Sequence, residues 1–298
     1  MVKISILLPV YNDENYITDA ISSVLNNSFR DFELVIINDG SNDMTLEKIH
    51  EFNDSRIKLF NKPNTGLIDS LNYGIDKCQS DIIMRMDGDD VIHPKKIQIQ
   101  LKEFLKSDFI LLGTFGVVIN NSNTVVSKVK LPLTHNEIIE FQLKMLPSII
   151  HASIMVYKEA LLSVGKYDPK IEVAEDYDLF LRLSKIGKVG NINSFLYSIR
   201  KNQDNVSFTR NSEQLMNTMI ARSYFLEYNT EKKMNSNYYE EKRLLLENSS
   251  LFKKFRNNTY LLNKEKLRFH NQQYWLLPKI LFHMIKRYIY SIKLLSNY

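Results

Sequence analysis

The sequence predicts an α/β protein, a sheet of apolar strands covered by helices on both faces and followed by a helical extension. Three observations predict it. Strand-like and helix-like segments alternate four times in about the first 105 residues, the strands are apolar along nearly their whole length, and each ends in turn-forming or acidic residues.

The elements follow in order. Ile4 to Val10 is a β-branched and aliphatic run, and residues 14–26 repeat apolar positions at Ile17, Ala20, Ile21, Val24 and Leu25, the spacing of one helix face. Phe32 to Ile37 is a second strand. The alternation continues with a helix over 43–52, a strand at Ile57 to Phe60, a helix over 66–77, a strand at Asp81 to Met86 and a helix after Pro94. From about 109 to 210 the pattern loosens into strands near 109–119, 125–129, 150–157 and 195–200, with a helix over 175–186; this reads as the second half of the sheet. From Asn211 to about 256 the chain turns helical and charged, with Glu240, Glu241, Lys242 and Arg243 in succession. The expected division is therefore a domain over 1–210 and a helical, basic extension over 211–298.

A chain of 298 residues with 44% hydrophobic and 24% charged residues has the balance of a globular protein and excludes a disordered or fibrous one. Its single cysteine, Cys78, cannot build a disulfide framework. The opening MVKISILLPVYN carries only Lys3 before its apolar run and passes into Asn12, Asp13 and Glu14, so a core strand of a cytoplasmic protein is expected there, not a signal peptide. No transmembrane helix is expected. Charge is unevenly spread: from Leu251 onward ten Lys or Arg face Glu265 alone, so the overall +5 divides into +9 on this end and −4 on the other 250 residues. A basic, aromatic-rich end on a mildly acidic body suits an anionic partner.

In an open α/β sheet, ligands bind at the carboxyl ends of the strands. That rule selects Tyr11 and Asn12, Asn38 and Asp39, and Asp87 through Asp90. Asp87-Gly88-Asp89-Asp90 follows the strand Ile82 to Met86, and alternate carboxylates on a glycine turn can offer two oxygens to a hard divalent ion that also binds diphosphate. The same residues also suit a plain turn before a helix. Asn38-Asp39-Gly40-Ser41 is likewise built of turn residues, while a Tyr11 face can stack on a nucleobase and Asp39 can accept from an imide nitrogen. Together these groups give one rim the parts of a nucleoside diphosphate site. Glu175-Asp176-Tyr177-Asp178 opens an amphipathic helix. Acids there complement the helix dipole, or one of them is a general base directed into the cleft.

Taken together, SILLPVYNDENYITDAISSVLNNSFRDFELVIINDGSND, the N-x-G of Asn64 to Gly66 with Leu71 to Ile75, RMDGDD, VGKYD and EDYDLFLRL resemble the inverting family 2 glycosyltransferases of the GT-A fold, over about residues 3–208. The resemblance implies a mixed, Rossmann-like sheet that binds a nucleotide sugar, most often a uridine diphosphate sugar. Pro9, Val10 and Tyr11 would contact the base and Asp39 the uracil. Asp87 would lie near the ribose and sugar and, with Gly88 and Asp89, would bind the donor, with Asp89 and Asp87 holding Mn²⁺ or Mg²⁺. Asp176 would be the catalytic base of a single displacement with inversion. Where the family often has arginine before asparagine this chain has Leu71-Asn72, which leaves Asn72 on the donor side with Arg85 as another donor-side cation. The late arginine, histidine and serine motif becomes Arg200, Asn202 and Ser207; Arg200 can still neutralise phosphate, whereas Asn202 cannot serve as a charged histidine. His151 matches a position often kept as histidine, where it faces metal or acceptor, with Glu175 beside it, or is a hydrogen-bonded core residue.

Beyond the resemblance, Tyr274 to Tyr298 places Leu281, Met284, Ile285, Tyr288, Ile292 and Leu295 on one helical face and Lys279, His283, Lys286 and Lys293 on the other. An interfacial helix on an anionic bilayer is expected, or a helix packed on protein. No nucleic-acid motif accompanies it. The sequence thus predicts a metal-dependent transferase on the inner face of the cytoplasmic membrane, adding sugar from a nucleotide donor to a surface glycan, lipid-linked in this reading. Two alternatives stand beside it. A sugar nucleotidyltransferase is disfavoured because residues 9–16 carry no glycine-rich phosphate loop, and a non-catalytic sugar-nucleotide-binding or assembly protein is disfavoured by the intact acids.

Overall fold

The computed structural model describes residues 3–201 and 211–228, and beyond them residues 243, 244, 248 and 253. The chain divides into two compact units, one of Met1–Pro169 with Glu175–Gln203, the other of Lys170–Ala174 with Asp204–Tyr298.

The first unit is a nine-stranded mixed sheet. Its strands are β1 (Ile4–Val10), β2 (Phe32–Asn38), β3 (Ile57–Asn61), β4 (Ile82–Arg85), β5 (Val91–Ile92), β6 (Phe109–Ile119), β7 (Val125–Val129), β8 (Met155–Tyr157) and β9 (Lys188–Arg200). They lie in the order β3-β2-β1-β4-β8-β6-β9-β5, with β7 paired to β6. β1 to β4 run parallel, Ile4 opposite Phe32 and Ser5 opposite Ile83, and the direction reverses at β8. All carboxyl ends of β1, β2 and β4 therefore open on one rim.

Residue alternation explains the two covered faces. Ile4, Ile6, Leu8 and Val10 of β1 join α1 (Ile17–Leu25) and α4 (Lys96–Lys106) in one apolar cluster. Leu7, Val35 and Ile37 point the other way, into a second cluster with α3 (Leu67–Lys77), α6 (Lys158–Ser163) and α7 (Glu175–Ile186). Both faces are buried, so the strands read as continuous apolar runs. α2 (Thr45–His50) and α5 (His135–Leu143) complete the unit.

The structure departs from the sequence reading in the middle of the chain. The strand expected over 150–157 is a 3-10 turn, His151–Ser153, followed by the short β8. Ser153 causes the break: its hydroxyl accepts the Thr114 N–H at 3.1 Å and donates to the Ile150 carbonyl at 2.8 Å, replacing ladder bonds. β9 begins at Lys188, seven residues before the expected start, with register shifts against β6 that disguised its period. Helix α5 was not foreseen, although Thr134 and Glu137 close a capping box at its start.

In the second unit, helix α8 (Asn211–Tyr228) buries Met216, Met219, Ile220 and Ala221, and its Asn217 amide donates to the Glu172 carbonyl at 2.6 Å. The helix expected over Tyr274 to Tyr298 lies outside the described residues, as do Asn202 and Ser207.

Candidate active site

The rim at the ends of β1 and β2 is knitted by polar contacts between two loops. Asn12, at φ 56°, accepts the Asn42 N–H at 2.9 Å through its side chain, while its own N–H donates to the Ser41 hydroxyl at 3.1 Å. The Asp13 N–H donates to the Thr45 hydroxyl at 2.8 Å. Of the three residues expected at the base, Pro9 and Val10 are buried within β1 and Tyr11 alone reaches the surface, 47% exposed. Asp39, 4% exposed, closes this side: its carboxylate accepts the Thr65 N–H at 3.0 Å and the Gly66 N–H at 2.9 Å, and pairs with Lys62. Gly66 presents its N–H from φ +92°, a conformation that L side chains resist, which explains the glycine of the N-x-G motif. Lys62 and Thr65 were missed from sequence; the N-x-G motif marks Gly66 and its loop, but not that the loop holds Asp39.

The end of β4 carries the acid cluster. Carboxylate oxygens of Asp87, Asp89 and Asp90 all lie within 4.8 Å of one another. Such crowding needs compensation, and each acid has a different kind. Arg85 grips both oxygens of Asp87 in a fork, with one contact at 2.6 Å. Asp90 is buried and accepts the Arg200 N–H at 2.7 Å. Asp89 is pushed up to about 6 by burial and by the charge of Asp87. A fourth acid, Asp13, approaches from the first loop: a methyl group at Gly88 would lie 2.4 Å from its Oδ2, so a side chain there would have to push the Asp13 carboxylate aside. Burial and then Asp89 push Asp13 up to about 7. Asp87, Asp89 and Asp90, three hard oxygen donors brought together, fit a divalent cation, with Asp13 at their edge. Asp90 belongs to the rim that the strand-end rule selects, whereas nothing local marks Asp13; its approach to Asp89 is tertiary.

Arg200 is placed behind this cluster, wholly buried. Its Nε donates to the Asp89 carbonyl at 2.8 Å and its Nη1 to the Asn120 carbonyl at 3.2 Å, its Nη2 lies 3.3 Å from Asp19, and its guanidinium stacks 4.7 Å from the Tyr16 ring centre. The phosphate-facing role expected of it gives way to bracing the D-G-D-D turn. Asn72 is also redirected: its amide donates to the Tyr167 carbonyl at 2.9 Å and accepts the Tyr167 N–H at 3.0 Å.

A second pair of acids, Glu175 and Asp176, opens α7. Asp176 accepts the Tyr177 N–H at 2.7 Å, and burial raises its carboxyl; Glu175 is pushed up to about 7 by burial and by Asp176. The charges of Arg85 and Asp87 act on both, so the two acid groups share one electrostatic environment. His151 joins it: its Nε2 is 2.7 Å from the Tyr167 hydroxyl, and burial together with Arg85 holds the ring neutral. This is the hydrogen-bonded placement of the two readings of His151.

With this geometry in view, comparison with known proteins gives a consistent result. The family model for Glycosyl transferase family 2 matches residues 5–165. A chondroitin synthase of Pasteurella multocida (strain Pm70) is 32% identical over 241 residues, 80% of this chain and 24% of the relative. The O-antigen biosynthesis glycosyltransferase WbnJ of Escherichia coli is 33% identical over 186 residues, 60% of this chain and 71% of the relative. The chain spans about a quarter of the synthases it matches, the hyaluronan synthase of Pasteurella multocida included at 22%. Among solved structures, Staphylococcus aureus TarS residues 1–349 in complex with UDP-GlcNAc superimposes with a TM-score of 0.61 at 16% identity, covering 81% of this chain and 70% of that one. At that identity the likeness speaks for the fold, which is GT-A.

Proposed function

The chain belongs to glycosyltransferase family 2 and is a glycosyltransferase, and from that premise we propose that it transfers a sugar, with inversion, from a uridine diphosphate sugar to a hydroxyl of a growing surface glycan. The observation that carries this reading is the pair of acid groups around Arg85, one crowded to attract a cation and one buried to accept a proton. Solved TarS complexes with UDP-GlcNAc and with UDP support the donor class, and relatives named for chondroitin, hyaluronan and O-antigen synthesis support a polysaccharide acceptor.

The residues divide the work. Tyr11 supplies a ring for the base, with Asp39 beside it held by Lys62 and the Thr65 and Gly66 amides. Asp89 and Asp87, with Asp90 alongside, would hold Mn²⁺ or Mg²⁺, which supplies positive charge to the diphosphate as it leaves. Asp176 takes the proton of the acceptor hydroxyl while that oxygen bonds to the anomeric carbon and the bond to diphosphate breaks. Burial raises its carboxyl, which makes it a stronger proton acceptor than an exposed aspartate. Glu175, its carboxyl pushed up to about 7 by burial and by Asp176, is the second acid on the acceptor side.

Among the described residues no helix is long and apolar enough to cross a membrane. Membrane contact in this reading comes from the basic end after Leu251, lying on the inner leaflet near a lipid-linked acceptor. The test is turnover: uridine diphosphate release from a panel of uridine diphosphate sugars with glycan acceptors, the product anomer read by nuclear magnetic resonance. Release that depends on acceptor and yields an inverted product is expected. A retained configuration overturns the single displacement, and no transfer from any member of the panel overturns the donor class.

A further inference from the structure

Asn72, Tyr167 and His151 form a connected set that the transfer chemistry above does not use. Tyr167 is buried to 3% exposure and its backbone is held on both sides by the Asn72 amide, at 2.9 and 3.0 Å, from helix α3. The segment leading into it is fixed from α7. Arg182 Nη1 donates to the carbonyls of Val164 at 2.6 Å and Lys166 at 2.7 Å, while its Nε and Nη2 donate to Asp178 at 2.9 and 2.6 Å. Lys166 adds a bridge to Asp76 of α3. These contacts fix the backbone around Tyr167, and with it the position of one side chain.

That side chain reaches His151. The Tyr167 hydroxyl is 2.7 Å from His151 Nε2, the two rings lie 5.5 Å apart, and the His151 ring meets Phe180 edge-on at 6.0 Å. Phe180 stands four residues after Asp176 on the same face of α7. The imidazole therefore packs on the helix face that carries the acid pair's Asp176. Tyr167 feels the charges of Glu175 and Asp176 as well as Arg85, and His151 feels Arg85.

We propose that Asn72, Tyr167 and His151 are a positioning relay for the acceptor side: Asn72 sets Tyr167, and the Tyr167 hydroxyl sets the imidazole of His151 against the Asp176 face of α7, where it lines the path of the incoming hydroxyl. The proposal rests on the reading of Asp176 as base. It moves Asn72 from the donor side to the acceptor side, since both ends of its amide are occupied by Tyr167. It also gives Tyr167 a task that phenylalanine could not perform.

Tyr167→Phe keeps the ring and removes only the hydroxyl, so it is the discriminating variant; His151→Gln is its partner. In the full chain, with the donor and acceptor pair found by the panel, each single variant is expected to lower kcat/KM for acceptor about tenfold. The double variant is expected to fall no further than either single one, because one contact is being removed twice. Affinity for uridine diphosphate with Mn²⁺ should stay within about twofold of the unaltered chain, a split between acceptor and donor that loss of packing would not produce. Full activity in both variants, additive losses, or a matching loss of uridine diphosphate affinity overturns the relay. Asn72→Ala should reproduce the acceptor defect; if it does not fold, Tyr167→Phe still decides. Histidine nitrogen shifts give a readout that needs no turnover. If the unaltered chain transfers nothing, the transfer reading fails by itself, and the relay stands only if Tyr167→Phe shifts the His151 ring nitrogens; an unchanged His151 signal removes it.

Discussion

The two acid groups on this rim are made of the same chemistry and are held in opposite ways. At the end of β4, Asp87, Asp89 and Asp90 are compressed within 4.8 Å and braced by cations and donors, the Arg85 fork, the Arg200 N–H and the Arg200 Nε on the Asp89 carbonyl. At the start of α7, Glu175 and Asp176 rest on a helix N-terminus with the Tyr177 N–H as the near donor. Burial raises carboxyls in both places. The first group has geometry fixed by arginines and a charge excess that asks for a cation. The second has few fixed partners and a carboxyl poised to take up a proton. Carboxylates are assigned their chemistry by what braces them.

The largest test of this contrast is to remove one acid from each side. Asp89→Ala and Asp176→Asn should each lower transfer by about a thousandfold or more, measured as initial rates at saturating donor and acceptor, since each removes a principal catalytic group. Near-normal transfer in either variant would dissolve the division. Arg200→Ala comes next: it leaves the backbone N–H on Asp90 in place but strips the Asp89 and Asn120 carbonyls of their guanidinium donors and Asp19 of its partner. A loss of about 1–3 kcal/mol in denaturant unfolding is expected, the scale of leaving buried carbonyls without their donors, together with weaker Mn²⁺ binding. A variant of unchanged stability would mean that Arg200 does not hold the cluster.

Lys96 sharpens the contrast from below. It is wholly buried, donates to the Ser153 carbonyl at 3.0 Å and to Gln100, and sits 5.9 Å from the ring of Tyr197, whose hydroxyl accepts the Asp87 N–H at 3.2 Å. Burial lowers its pKa from 10.5 to about 7. Between those values the unfolded chain holds the extra proton, so stability rises with pH across that window, and the contribution is lost as pH falls through about 7. Lys96→Met should flatten this slope, worth about a few kcal/mol at most, in unfolding free energies measured from pH 6 to pH 9. A slope that persists in the variant would assign the effect elsewhere. The smallest expected effect is at the base: Tyr11→Ala should weaken uridine diphosphate binding by about 1–2 kcal/mol, the scale of one base stacked on one ring, with transfer at saturating donor unchanged.

The first half of the sheet was legible because its signals are local. β1, β2 and β4 are continuous apolar runs, and each ends in residues whose types announce a turn, as at Asn38-Asp39-Gly40 and Asp87-Gly88. The second half was harder because its causes are distant. Ser153 breaks the strand expected from Ile150 by serving Thr114, and β9 shifts its register against β6 several times. The acids themselves were visible, but their bracing was not. Arg200 sits 110 residues from Asp90 and Asn72 sits 95 from Tyr167, separations that no spacing rule spans, so both were read as facing the donor when the fold spends them on the frame.

The most direct measurement is calorimetric binding of uridine diphosphate with Mn²⁺ to the full chain, to Asp89→Ala and to Asp176→Asn, followed by transfer assays on the same samples. The division of the two acid groups predicts binding that Asp89→Ala abolishes and chelation reverses, while Asp176→Asn binds within about threefold of the unaltered chain and transfers nothing. Equal loss of binding in both variants, or intact metal-dependent binding in Asp89→Ala, would contradict it.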